Sequence, residues 1–270
     1  MRLIRSFGNI GSRRDRTRVR MNSLFLISMF LVLCVAVAEL SDSGHSVSAE
    51  GQSKIVLEFD TASTQTDTFQ VLISETVYLD GQRVTNLYRE DFKIEKTPAG
   101  NGRALQAVVC VGSVTPVGGE ITKLPPSGYH LTVDKTGRIL EVKGLKPWDG
   151  RRMETIWLAQ ALLPEYPVGP GDTWTANGAF FSRTAGGQTW EKRAYRFLGR
   201  ETIGTVSACK IGYEIVGKGH DEGQDYTYVS TGTFYFASGN LVKLDASEMV
   251  TYGGSSEDSK IITMIQVSAL

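Results

Sequence analysis

From Ile55 onward the dominant period in the chain is two. Between Phe69 and Asp80, the side chains of Phe69, Val71, Ile73, Val77 and Leu79 fall on one side, while Gln70, Ser74, Thr76 and Asp80 fall on the other. That is the pattern of a half-buried β-strand. Tyr226, Tyr228, Phe234 and Phe236 alternate with Thr227, Val229, Thr233 and Tyr235 in the same way. Further strands are predicted over 84–96, 103–114, 129–134, 138–143, 173–182, 188–199, 203–217, 241–251 and 259–268. Breaks such as Asp80-Gly81, Asn101-Gly102, Gly186-Gly187 and Gly253-Gly254 separate them, as expected of hairpins in a meander.

One segment departs from this period. Arg151 to Leu163 (RRMETIWLAQALL) places Met153, Ile156, Trp157 and Ala161 at helical spacing, with Leu158 and Leu162 widening the apolar side. Asp149 is placed to cap its start and Pro164 to stop it. A lone helix with a broad apolar face must bury that face against a sheet. The flanks of this helix look alike. Cys110 precedes the turn glycine Gly137 in YHLTVDKTGRILEVKG, and Cys209 precedes Gly239 in TFYFASGNLVKLDAS, with an aromatic-led strand before each turn and an aliphatic one after it. The expected fold is therefore mainly β: an antiparallel meander of two similar halves, 55–148 and 172–268, joined by a helix over 151–163.

The first 54 residues carry no such period. Seven arginines (2, 5, 13, 14, 16, 18 and 20) precede the apolar run from Leu24 to Ala38, which closes on Ala36-Val37-Ala38. A basic region, an apolar region and a small-x-small end describe a secretory leader, cut between Ala38 and Glu39. The run is shorter than the ~20 residues of a spanning helix. Lipidation at Cys34 is the minority reading, because Leu33 stands where a small residue is wanted, and Met21 is an alternative start. Leu40 to Lys54 is rich in Ser and Gly and reads as a flexible tether before a single domain over 55–270.

Removing the leader changes the charge and the cysteine count. Loss of seven arginines and Asp15 leaves 22 basic and 28 acidic residues, so the neutral total becomes about −6. A mildly acidic domain without a basic stripe does not fit nucleic acid as a partner. Cys110 and Cys209 remain, either as a disulfide in an oxidising compartment or as two small buried hydrophobes in apolar strands.

The stretch Tyr166 to Trp174 (YPVGPGDTW), preceded by a Leu-Leu-Pro helix end and by the turn LTVDKTGRI, resembles uncharacterised bacterial envelope proteins with a Gly-Asp-Thr-Trp motif between two β-rich halves. Their plan is similar to the open half-barrel, with a helix on its concave face, of the LolA and LppX lipoprotein-handling group. The resemblance implies an envelope location and binding of an apolar ligand, and it carries no catalytic residue. Without it, Gly171 permits a tight turn, Asp172 can bond its own backbone downstream, and Trp174 opens a strand.

Catalytic chemistry is hard to find. His45, His130 and His220 share no metal-ligand spacing, and neither a G-x-S-x-G elbow nor a glycine-rich phosphate loop occurs. Ser207 to Lys210 fits S-x-x-K but sits in a strand-like run, and the acidic loop 220–225 lacks the spacing of a calcium loop. No enzyme activity, cofactor or metal is expected. The sequence instead supports an exported envelope protein, extracellular or periplasmic, binding a lipid or other apolar small molecule between sheet and helix, with Trp157, Leu158 and Trp174 lining the site. The alternative is a structural module that docks another envelope protein.

Overall fold

The computed structural model describes residues 53–79, 82–110, 127–144, 161–181, 188–221, 224–253 and 259–270. The described residues form eleven strands: β1 (Gln65–Leu79), β2 (Gln82–Gly100), β3 (Arg103–Cys110), β4 (Ser127–Asp134), β5 (Ile139–Lys143), β6 (Thr173–Phe181), β7 (Gln188–Ile203), β8 (Val206–Asp221), β9 (Gln224–Ala237), β10 (Asn240–Tyr252) and β11 (Ser259–Ala269). All belong to one antiparallel sheet in the order β5-β4-β3-β2-β1-β11-β10-β9-β8-β7-β6. Every neighbour is also a sequence neighbour except at the centre, where the first strand pairs with the last from Phe69↔Ala269 to Leu79↔Ser259. The alternation that predicted the strands is the one that buries them. In β1, Phe69 and Val71 face the core while Leu72 stands exposed on the other face.

Two segments outside the strands cover one end of the inner face. Ile55 and Val168 exchange backbone hydrogen bonds of 2.9 and 2.8 Å. Leu57, Phe59, Leu162 and Leu163 are buried in the same core as Leu131, Ile211 and Leu244. Consecutive amides then report the curvature of the sheet: Phe59 N–H donates to Lys135 O at 2.7 Å, and Asp60 N–H donates to Gly239 O at 3.0 Å. Lys135 lies in the β4–β5 turn and Gly239 in the β9–β10 turn, six places apart in the strand order. In a flat sheet they would be roughly 29 Å apart at ~4.8 Å per strand. Two adjacent residues cannot span that distance, so the sheet curls to bring these turns together.

The helix predicted over 151–163 falls mostly outside the described residues, and its last three, Ala161 to Leu163, are buried but not helical. They are pinned instead by Leu163 N–H donating to Thr136 O at 2.8 Å. Trp157 and Leu158 also lie outside the described residues. Cys110 and Cys209 are buried thiols, not a disulfide. They stand on β3 and β8, six places apart. Burial pushes the Cys209 thiol pKa up, partly offset by the charge of Arg200.

Candidate functional site

On the inner face, strand register gathers polar residues into one row. Glu75 on β1 is opposite Thr263 on β11, which is opposite Glu248 on β10. Glu248 is opposite Ser230 on β9, Ser230 is opposite Ile215 on β8, and Ile215 is opposite Arg193 on β7. Glu75, Glu248, Ser230 and Arg193 are all buried. Charged groups are rarely buried without specific partners, so a row of them is a chemical feature rather than a packing accident.

Beside this row, Glu191 is held at both oxygens. Arg193 Nε donates to Oε2 at 2.7 Å, and the Tyr228 hydroxyl donates to Oε1. Both members of the ion pair are almost wholly buried, with side chains 2% and 1% exposed. At this depth a charge-assisted pair is strongly orienting, because few competing water contacts are left. The Tyr213 hydroxyl meets Ser230 Oγ at 3.2 Å, and Thr189 Oγ1 meets the Tyr226 hydroxyl at 3.4 Å.

Three tyrosines take their shape from glycines across the strand. Gly217 is opposite Tyr228, Gly219 opposite Tyr226, and Gly232 opposite Tyr213. In each pair the ring lies over the glycine so closely that a β-carbon there would collide with it. The rings therefore lie along the sheet, forming an aromatic floor with hydroxyls at its edges.

Towards the covered end the row gives way to apolar aromatic residues. Trp174 stacks on Tyr195 with centroids 5.5 Å apart, and Tyr213 packs on Phe234 at 4.6 Å. Trp174 Nε1 donates to Leu162 O at 2.6 Å, while the Tyr195 hydroxyl accepts from Leu162 N at 3.4 Å. Trp174 is thus buried, with its indole N–H committed to the fold.

The surrounding Gly-Asp-Thr-Trp turn is built as a backbone device. Gly171 has φ +94°, in the region that favours glycine. Asp172 accepts from Gly169 N–H at 3.0 Å, an upstream partner where the sequence predicts a downstream one. That bond first, and then Lys54 nearby, holds its carboxyl below the usual range, with burial opposing them.

The polar row leaves a signal in the sequence, but one spread over separate strands. Glu75 interrupts the apolar face Phe69-Val71-Ile73-Val77, Glu248 interrupts Leu244-Ala246-Val250, and Glu191 and Arg193 share a face with Tyr195 and Phe197. Each reads alone as a flaw in alternation, and only the register shows that most fall at one level. Among the described residues, no group of three or more His, Cys, Asp or Glu side chains is placed to hold a metal ion.

No family model matches the sequence, and no curated protein matches it. Among solved structures, DynF from the dynemicin biosynthesis pathway of Micromonospora chersina is similar at a TM-score of 0.25 and 8% identity, over 84% of this chain and 92% of that one. A putative outer membrane lipoprotein-sorting protein domain from Vibrio parahaemolyticus is similar at a TM-score of 0.17 and 9% identity, over 75% of this chain and 83% of that one. At these scores neither likeness assigns a role to this chain.

Proposed function

We propose that the chain is an exported, non-enzymatic binding protein of the cell envelope, and that its curled sheet is an open half-barrel holding an amphiphilic ligand against the inner face. The observation that carries this reading is the division of that face. Aromatic residues around Trp174, Tyr195 and Phe234 occupy the covered end, and the polar row of Glu75, Glu248, Ser230 and Arg193 lies beyond them. An apolar body with a polar head matches the chemistry of both zones. Trp157 and Leu158 belong to this proposal as apolar wall residues, and the leader closing on Ala36-Val37-Ala38 supports export. Native mass spectrometry of protein purified from its own cells, followed by lipid extraction, is the test. An adduct that is lost on extraction and identified as an amphiphile is expected, and protein that carries none would overturn the reading.

A second reading, a protein-interaction module, is favoured by the outer face. Ile262, Met249, Val229 and Val216 are paired across β11, β10, β9 and β8 into one apolar row, with Met249 42% and Val216 43% exposed. Cross-linking in intact cells separates the two: a Met249→Lys change that abolishes a specific cross-linked species while leaving the amphiphile bound would favour docking as a further role.

A further inference from the structure

Lys96, on β2, is buried at the covered end of the inner face with its side chain 2% exposed. Three oxygens surround its Nζ: Asn240 Oδ1 at 2.8 Å, Asp60 Oδ2 at 3.0 Å and Gln65 Oε1 at 3.4 Å. The Phe59 ring lies beneath, its centroid 5.6 Å from Nζ. Asn240 opens β10, and its Nδ2 donates to Ser238 O at 3.1 Å, which turns Oδ1 towards the lysine and Nδ2 away. A buried amine, a primary amide and a carboxylate that is itself 23% exposed are therefore in contact, with no disulfide among the described residues to tie the two halves of the sheet.

The geometry points to an intramolecular isopeptide bond between Lys96 and Asn240, formed with Asp60 as the proton carrier. Asp60 takes a proton from the lysine ammonium, and the freed amine adds its lone pair to Cγ of Asn240 while the carbonyl electron pair moves onto Oδ1. The second nitrogen-bound proton passes by the same carboxylate to Nδ2. When the carbonyl re-forms, the Cγ–Nδ2 bond breaks and that nitrogen leaves as ammonium, carrying the two protons that the lysine gave up. Asp60 ends ionised as it began, and no oxidant or reductant takes part. Holding the amine against the amide replaces an encounter between dilute reactants, which is the source of rate in oriented intramolecular reactions. The product joins β2 to β10 across β1 and β11 and so clamps the first half of the chain to the second.

Asp60 is not a strong base as it stands. The Ser63 hydroxyl first, and then Lys96 and the amides of Ala62 and Ser63, hold its carboxyl well below the usual range, with burial opposing them. Proton transfer from Lys96 is therefore uphill and bond formation slow. Replacing Ser63 with Ala makes Asp60 more basic and should accelerate the reaction several-fold, an effect that a merely structural ion pair would not produce.

Intact mass spectrometry of the full chain, sampled over days at neutral pH, tests this directly. The expected result is a mass one ammonia below the sequence mass, a branched peptide containing both Lys96 and Asn240 after proteolysis, and faster migration on a denaturing gel. Lys96→Arg and Asp60→Asn should keep the full mass, and Ser63→Ala should lose ammonia sooner than the wild type. A wild-type protein at full mass, with Lys96 and Asn240 in separate peptides, would overturn the proposal. So would an ammonia loss that persists in Lys96→Arg, which marks a succinimide at Asn240 instead.

Discussion

The Tyr228 ring lies over Gly217, its partner across β8 and β9, and this places the tyrosine hydroxyl on the Glu191 carboxylate. The glycine is required by contact rather than by backbone angle, since any β-carbon there enters the ring. Gly217→Ala should therefore lift Tyr228 from the sheet and destabilise the protein by about 1–3 kcal/mol in urea unfolding, the usual cost of overpacking. Adding Tyr228→Ala to that variant should cost less than Tyr228→Ala costs in the wild type, because the collision is then relieved. Additive losses would show that ring and glycine are independent.

The ion pair of Glu191 with Arg193 carries the second prediction. Both side chains are desolvated, so removing one leaves the other charged and buried. Arg193→Met should destabilise by roughly 3–5 kcal/mol, and the double change Arg193→Met with Glu191→Gln should recover much of that loss. Denaturant midpoints at neutral pH check both. If the double variant is no better than the single one, the pair is not what holds Arg193 in place.

Strand positions were legible in the sequence because period-two alternation is a local signal. The run Phe69-Val71-Ile73 needs no partner to announce its buried face. The pairing of β1 with β11 is not local, because the residues that meet, such as Ile73 and Ile265, lie at opposite ends of the domain. Everything that depends on this closure was therefore hidden. The polar row runs through Thr263 between Glu75 and Glu248, and the approach of Lys96 to Asn240 needs the same junction. Trp174 was readable as a core residue from its type and its place at a strand start. Its bond to Leu162 was not, since that segment has no strand period and carries the spacing of a helix end.

Trp174 offers a way to separate packing from hydrogen bonding at that junction. Its ring stacks on Tyr195 at 15° between planes, and its N–H donates to Leu162 O. Trp174→Phe keeps an aromatic ring over Tyr195 and loses the donor, so about 1 kcal/mol should be lost. Trp174→Ala empties the site and should cost about 3–5 kcal/mol. Thermal unfolding of the two variants gives the split. A loss below about 1 kcal/mol for the alanine variant would mean that residues 161–168 are anchored elsewhere.

Acid stability tests the electrostatics around Asp60. The carboxyl is ionised in the folded protein to a pH well below its ordinary range, chiefly through the Ser63 hydroxyl and then through Lys96 and two amides. A free aspartate titrates near ~3.9. A depressed folded pKa means that the folded form binds a proton less readily than the unfolded chain does. Asp60 therefore contributes its stabilisation above that value and loses it progressively as the pH falls towards the folded pKa. The unfolding free energies of wild type and Asp60→Asn should differ by a constant amount between about pH 7 and 5, and the difference should shrink below about pH 4. Ser63→Ala removes the largest cause, raises the folded pKa and should make the loss in Asp60's contribution smaller over the same acid range. A gap between wild type and Asp60→Asn that widens on acidification would reverse the sign and show that Asp60 is held protonated.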